Sequence, residues 1–419
     1  MKINKSLTLL ITALIIYRLT NISYVVGDDA LYNNNAKSLM YGVYPFFSYF
    51  FAHPPLFLLL APLAINIITI RIGLLITQII ILLIINELLK RWTVSELTRT
   101  ITLGALITTS SFNIFYNSNL GFGLMTMWCL MSYLAYKNGK FGLSVGLAMI
   151  ASMTRFFALF YILSMILLTY RKHGFKYFIA LAPMIFLFII PLTRYQLFMY
   201  HADPGVGKGF MYDGDRLKLF NYFLLMNASL LPFVLLPDYD PLIIAVSLIA
   251  GIFMMSNVYF MYTSLITPWL LLALLPRFSD RQIKIIALLL LVNSYWFNTK
   301  VIDDTISVND VDLLAKKVSA YGLPLTGSSA YINLLQYHNG SLVIIGSPSE
   351  PVGVRDTLWH RWRHRQPYFE GLINQSSHLF LCVPPPGGYA NECNLTDLSN
   401  PRYELVEEFN DLKIYRYNI

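Results

Sequence analysis

Charge is scarce in this chain: 13% of its 419 residues are Asp, Glu, Lys or Arg, while 56% are hydrophobic and the mean hydropathy is +0.54. That deficit excludes a soluble globular protein over most of the length and reads as a polytopic membrane protein. Cysteine is nearly absent, with three residues. Cys129 falls inside an apolar stretch and reads as packing. Cys382 and Cys393 bound the short segment CVPPPGGYANEC, which suits a disulfide in an oxidising compartment. The first apolar segment, Leu7 to Val26, lacks a small-residue cleavage pattern, so we expect a retained anchor. The C-terminal part shows no Gly-rich phosphate loop, Ser-His-Asp arrangement or metal-ligand spacing.

Apolar stretches fill residues 6–298, and 299–419 reads like an ordinary soluble sequence. We therefore expect a membrane domain over 1–298, whose first external loop is 27–53, and an appended domain over 299–419. Basic residues group at Lys2/Lys5, Lys90/Arg91/Arg99, Lys137/Lys140, Arg171/Lys172/Lys176 and Arg277/Arg281/Lys284. The positive-inside rule places all five groups in the cytoplasm, so the net charge of +8 reports orientation and gives no reason to expect nucleic acid. The expected crossings are 6–26, 72–89, 98–116, 119–136, 141–154, 156–170, 176–198, 219–236, 240–256, 259–276 and 283–298. About eleven spans put the N-terminus in the cytoplasm and the C-terminal domain outside the cell. Pro54 to Ile70 spoils this parity if it crosses, so it reads as a helix lying in the outer leaflet, with Arg71 outside. The segments 141–154 and 156–170 are short, and either bracket a water-filled cavity or form one long tilted helix.

In the appended part, Val308 to Tyr321 has helical periodicity, Leu323–Gly327 and Leu342–Gly346 are runs of strand length, and a helical stretch lies around Tyr331–Tyr337. Arg355 to Asn374 reads as a second helix and His378–Val383 as a strand. Tyr403–Phe409 and Leu412–Tyr417 form a hairpin about Asn410-Asp411. Alternating helices and strands imply a small α/β layer fold. The run from Trp359 to Arg365, WHRWRHR, suits either a solvated helix face or contact with anionic headgroups and sugars.

Chemistry-bearing residues collect at the outer face. Asp28-Asp29 stand at the end of the first span, where a charge beside hydrocarbon is costly and so marks a functional candidate. Ala30 to Tyr41 carries a modest amphipathic face that ends at Gly42, and the aromatic run from Phe46 to Phe51 suits the headgroup level. His53 precedes Pro54-Pro55, which hold it at a rigid bend. It reads either as structural or as a phosphate contact. Arg155, within Met153-Thr154-Arg155-Phe156-Phe157, lies at an outward turn between two short spans. A guanidinium there either snorkels or serves a site. The loop from His201 to Lys218 carries Gly205, Gly207, Gly209 and Gly214, and reads as a lid or a plain connector. Tyr259 and Tyr262 lie at the outer end of a later span.

The order of first span, acidic pair, surface helix and then His53-Pro54-Pro55-Leu56 resembles the C-type glycosyltransferase superfamily (GT-C), in particular its protein O-mannosyltransferase and aminoarabinose transferase branch. The specific part covers residues 27–56. The resemblance implies transfer of a sugar from a polyprenyl or dolichyl phosphate carrier to a protein or glycan acceptor at the extracytoplasmic face. It implies Asp28 as general base, Asp29 as its tuning or acceptor-binding neighbour, and Arg155 on the lipid phosphate; by their position at the outer face, apart from the resemblance, His53 is a candidate phosphate contact and Tyr259 and Tyr262 are candidates to face the same cavity. Relatives often carry a further acid in this first loop and another acid or Arg in the second; here Ser48-Tyr49 and Asn113, Asn117 and Asn119 stand there. Fewer oxygen ligands weaken the case for a divalent metal, so we expect no cofactor. The rival readings are a flippase of lipid-linked sugars, for which the internal repeats of transporters are missing, and a non-catalytic homologue.

Overall fold

The computed structural model describes residues 5–20, 24–26, 67–91, 95–109, 112, 121–155, 157–183, 239–254, 265–274, 279, 281–282, 284–289, 291–292, 305–327, 335, 344–346, 377–382, 399–409 and 412–419. By contact the chain forms two compact units: Met1–Ile22, His53–Ile189 and Pro204–Asp303 make one, and Ser23–Ala52, Ile190–Asp203 and Asp304–Ile419 make the other.

The first unit is helical. Its described helices are α1 (Lys5–Thr20), α2 (Ile67–Arg91), α3 (Glu96–Thr108), α4 (Phe122–Lys137), α5 (Phe141–Ser152), α6 (Ala158–Thr169), the single turn α7 (Gly174–Tyr177), α8 (Tyr239–Met254) and α9 (Thr267–Leu274). The stretch Thr69–Arg91 of α2 is long and apolar enough to cross a bilayer alone, while Phe141–Ser152, Ala158–Thr169 and Asp240–Gly251 are apolar but shorter. Helix α2 begins earlier than the sequence implies. Ile67–Ile70 belong to it, and Arg71 lies inside its second turn rather than beyond its end. The rest of the 54–70 stretch lies outside the described residues.

Side-chain contacts order the helix ends. Ser6 Oγ donates to Glu96 Oε1 at 3.4 Å, so α1 and α3 start at one end of the unit. Arg91, closing α2, donates to the Lys137 carbonyl at 3.4 Å and to the Asn138 side chain, so α4 finishes at that same end. Lys137 Nζ pairs with Asp240 Oδ2 at 2.6 Å, which adds the start of α8. The Phe141 ring stacks on His173 at 3.7 Å, which adds the start of α5 and the exit of α6. Lys90, Arg91, Lys137, Lys140, Arg171 and Lys172 thus share one end of the helical unit.

Small and polar residues let these helices approach, as apolar solvent outside them requires. Ser132 and Ser144 each donate to the other's backbone carbonyl at 2.7 Å across the α4–α5 contact, and the Ser144 hydroxyl also meets the Tyr177 hydroxyl at 2.7 Å. Phe160 of α6 lies over Gly251 of α8 so closely that a Cβ on Gly251 would stand 2.2 Å from its ring. Trp269 fills the centre, with its ring 5.6 Å from both Tyr133 and Tyr161. The structure excludes the reading of 141–170 as one long tilted helix: α5 and α6 are separate helices of 12 residues each, joined by a turn into an antiparallel hairpin.

The second unit holds β1 (Tyr24–Val26), β2 (Thr305–Ser307), α10 (Val308–Ala320), β3 (Leu325–Gly327), β4 (Ile344–Gly346), β5 (His378–Cys382), β6 (Tyr403–Phe409) and β7 (Leu412–Tyr417). Strands β3 to β7 make one sheet in the order β4-β3-β5-β7-β6, parallel across β4, β3 and β5 and antiparallel across β5, β7 and β6. Every residue of β5 is buried, as its central place in the order requires. The helix, the two short strands and the hairpin fall where the periodicity put them; the 355–374 helix and the WHRWRHR run lie outside the described residues. Cys382 is disulfide-bonded and Cys129 is free, while Cys393 lies outside the described residues. β1 and β2 form a separate antiparallel pair with Tyr24 opposite Ser307, Val25 opposite Ile306 and Val26 opposite Thr305. Nothing in the sequence reading anticipated that pair.

Candidate functional site

Three arginines are the buried Lys, Arg, Asp or Glu side chains among the described residues: Arg18 at 6%, Arg71 at 5% and Arg155 at 4% exposure. All three stand away from the basic end. Arg18 is near the exit of α1 and Arg71 near the entry of α2, and the two lie within electrostatic reach of each other. Arg155 sits at the tip of the α5–α6 hairpin.

The sequence builds the Arg155 tip from a few local choices. Helix α5 ends at Ser152, and Thr154 and Arg155 donate their N–H groups back to the Ala151 carbonyl at 3.0 and 3.1 Å. The Arg155 carbonyl in turn accepts from Ala158 N at 3.1 Å, which starts α6. The turn is thus tied on both sides of the arginine. Gly121 caps the start of α4 with φ +74°, a left-handed conformation that a Cβ would strain. A Cβ there would also stand 3.4 Å from Arg155 Nε and 3.6 Å from its Cγ. The next residue, Phe122, presents its ring 4.6 Å from Arg155 Cζ, so the cation rests on an aromatic face. A planar delocalised cation suits this slot better than the compact, strongly hydrated ammonium of lysine.

Arg18 is held by hydrogen bonds instead. Its Nε donates to Gln78 Oε1 at 3.0 Å and one terminal nitrogen donates to the Phe112 carbonyl at 2.8 Å. Gln78 Nε2 donates to that same carbonyl at 2.6 Å. The three groups tie α1 and α2 to the chain that leaves α3.

Depth matters more than identity here. With a rise of about 1.5 Å per residue, Arg18 stands about 20 Å from Lys5, and Gln78 about 20 Å from Arg91. The 12-residue helices α5 and α6 lift Arg155 about 18 Å from the same basic end. These guanidinium groups thus stand well away from the basic end, and an ionisable side chain buried in an apolar helical unit is a candidate for function or for pairing. Arg18 with Arg71, and separately Arg155 at the hairpin tip, are thus positive charges buried within the helical unit.

Of the sequence candidates, Arg155 and Cys382 are among the described residues. Asp28, Asp29, His53, Tyr259, Tyr262 and Cys393 lie outside them, as do Asn113, Asn117, Asn119 and the 201–218 loop. Among the described residues no group of three His, Cys, Asp or Glu side chains is placed to hold a metal ion. Arg18 and Gln78 were not singled out from sequence. The signal was there, since a charge within a span is a functional candidate by default, but its place near the end of the span reads equally as snorkelling.

No protein-family model matches the chain, and no curated protein matches it in sequence. Its structure is similar to the crystal structure of ArnT from Cupriavidus metallidurans bound to undecaprenyl phosphate, with a TM-score of 0.61 over 98% of this chain and 97% of that one, at 10% sequence identity. Likeness at that identity establishes the fold alone: the chain has an ArnT-like fold, mostly helical with a small sheet among the described residues.

Proposed function

We propose that the protein is an integral-membrane glycosyltransferase of the plasma membrane. It moves a sugar, mannose as the first candidate, from a polyprenyl or dolichyl phosphate carrier to a hydroxyl of a protein or glycan acceptor at the extracytoplasmic face. The observation that supports this reading is the buried Arg155 guanidinium at the tip of a short hairpin in a chain that shares the fold of ArnT. The ArnT crystal structure holds undecaprenyl phosphate. A phosphate on a long isoprenoid arrives with its tail in hydrocarbon and meets such a cation directly.

In this mechanism Asp28 takes the proton of the acceptor hydroxyl as its oxygen attacks the anomeric carbon. The bond from that carbon to the phosphate oxygen breaks on the opposite side, so the anomeric centre inverts. The lipid phosphate keeps the bonding pair and leaves already ionised. Arg155 opposes the charge that grows on the leaving oxygen, and a preorganised cation in a dry site does this most strongly at the transition state. Arg18 and Arg71 add positive potential, Asp29 separates the titrations of the acidic pair, and His53, Tyr259 and Tyr262 complete the contacts to phosphate and sugar. Neither step calls for a metal ion.

The β1–β2 pair supports the proposed orientation. β1 follows α1 after three residues and pairs with the strand that opens the C-terminal part. Both belong to one compact unit, which is consistent with the proposed placement of the first external loop and the C-terminal domain on the same, extracytoplasmic side. The test is incubation of the purified protein with radiolabelled polyprenyl-phosphate sugars and a membrane extract. Label should leave the lipid fraction for a protein or glycan fraction with at least one donor. Label that stays in the lipid with every donor would overturn the reading.

A further inference from the structure

We propose that β2 is a positioning element for the candidate base: through its ladder with β1 it fixes the backbone two residues before Asp28. The inference rests on the proposed role of Asp28 and extends it to a part of the chain with no reacting group of its own.

Three observations carry it. First, the register is antiparallel, so Val26, the last residue of β1, faces Thr305, the first residue of β2. Asp28 follows Val26 by two residues, a reach of at most about 7 Å along the chain. Second, β2 is itself anchored, because Ser307 runs straight into α10, whose Leu314, Ala315 and Val318 are buried. The constraint on β1 therefore comes from a packed helix in the same unit. Third, the ladder is three residues long on each strand. Two-stranded pairs that short add little stability by themselves, so a packing role accounts poorly for bringing together two strands with most of the helical unit between them in sequence.

Geometry gives the pairing its use. A catalytic group has to be held to within about 0.5 Å of its productive position, and a misplacement near 1 Å costs about 100-fold in rate. Among the described residues, β1 is the element nearest to Asp28 in sequence. Ile306 and its neighbours are accordingly positioning residues and touch no substrate.

The experiment uses the full chain in lipid nanodiscs, with undecaprenyl-phosphate mannose and membrane extract as probe. Val25→Cys with Ile306→Cys places two thiols opposite each other, and oxidation should join them, seen as a cross-linked peptide by mass spectrometry. Thr305→Pro removes a backbone N–H and stiffens the ladder residue facing Val26. It should lower kcat at least 10-fold with the KM for the lipid donor within twofold of the unaltered protein. Combining all three substitutions and oxidising should return kcat to within about threefold, and a reductant should remove it again; the unaltered protein with the same reductant controls for Cys382. If Thr305→Pro fails to assemble, Thr305→Gly takes its place, alone and in the combination. No cross-link, an unchanged kcat on breaking the ladder, or no recovery on oxidation overturns the proposal. Asp28→Asn, measured in parallel, separates the two layers. If it is inactive while Thr305→Pro transfers normally, the positioning role alone falls; if it transfers normally, the base assignment falls and the positioning role with it.

Discussion

Replacing Arg155 by methionine separates the functional and structural accounts of a buried cation. The guanidinium is 4% exposed, rests 4.6 Å from the Phe122 ring centroid, and sits on a turn whose backbone bonds do not involve its side chain. Two unit charges about 4 Å apart at an effective dielectric of about 20 attract by about 4 kcal/mol, and deleting one preorganised donor at a developing oxyanion costs about 100- to 1,000-fold in kcat. Arg155→Met should therefore lower transfer by that factor. The fold should be retained, because an apolar side chain of similar length fills the slot against Phe122 and the backbone bonds of the turn stay in place. The assay pairs single-turnover transfer in nanodiscs with thermal unfolding of the same sample. A variant that transfers within threefold of the unaltered protein would refute the reasoning. So would one that loses activity only in proportion to lost fold.

Further outcomes follow from other contacts. Gly121→Ala should cost about 1–2 kcal/mol for the left-handed backbone and lower kcat as its Cβ presses on Arg155, with Phe122→Leu giving the smaller kcat effect; kinetics on both variants checks this. Gly251→Ala should destabilise the helical unit by about 1–3 kcal/mol through overpacking, and Phe160→Ala in the same chain should relieve it, read by thermal unfolding. Burial, with Tyr417 beside it, pushes the Tyr403 hydroxyl up to about 12. A raised folded value means that this contribution to stability is complete below about pH 10 and is lost as pH rises through about 12; Tyr403→Phe should flatten that alkaline loss in a pH series of melts. Maleimide applied to the denatured, unreduced protein should label one thiol, as free Cys129 and an oxidised Cys382 with the expected partner Cys393 require. Labelling of three thiols would contradict the bridge. Chelation by EDTA should leave transfer unchanged.

The sheet was legible where apolar runs of strand length end in turn residues: β6 and β7 match the expected hairpin residue for residue, and α10 starts at the expected Val308. Local patterning decides such elements, so local reading finds them. The β1–β2 pair was not legible, because three residues of β propensity say nothing about a partner that most of the membrane part separates from them. The start of α2 was misjudged for a related reason: a charge was taken as the edge of a span, yet Arg71 is buried in the helix. The place of Arg155 at a turn was legible because it stands between two apolar runs. Arg18 was overlooked because only its three-dimensional partners, Gln78 and the Phe112 carbonyl, show that it is held in place.

The account depends most on a carboxylate base working against a lipid phosphate held by buried cations. The most direct measurement compares transfer of radiolabel from a polyprenyl-phosphate sugar by the unaltered protein and by Asp28→Asn, with undecaprenyl phosphate binding measured on both. The account predicts that Asp28→Asn loses at least 100-fold in transfer while binding the lipid as well as the unaltered protein. Equal transfer by the two proteins would contradict it.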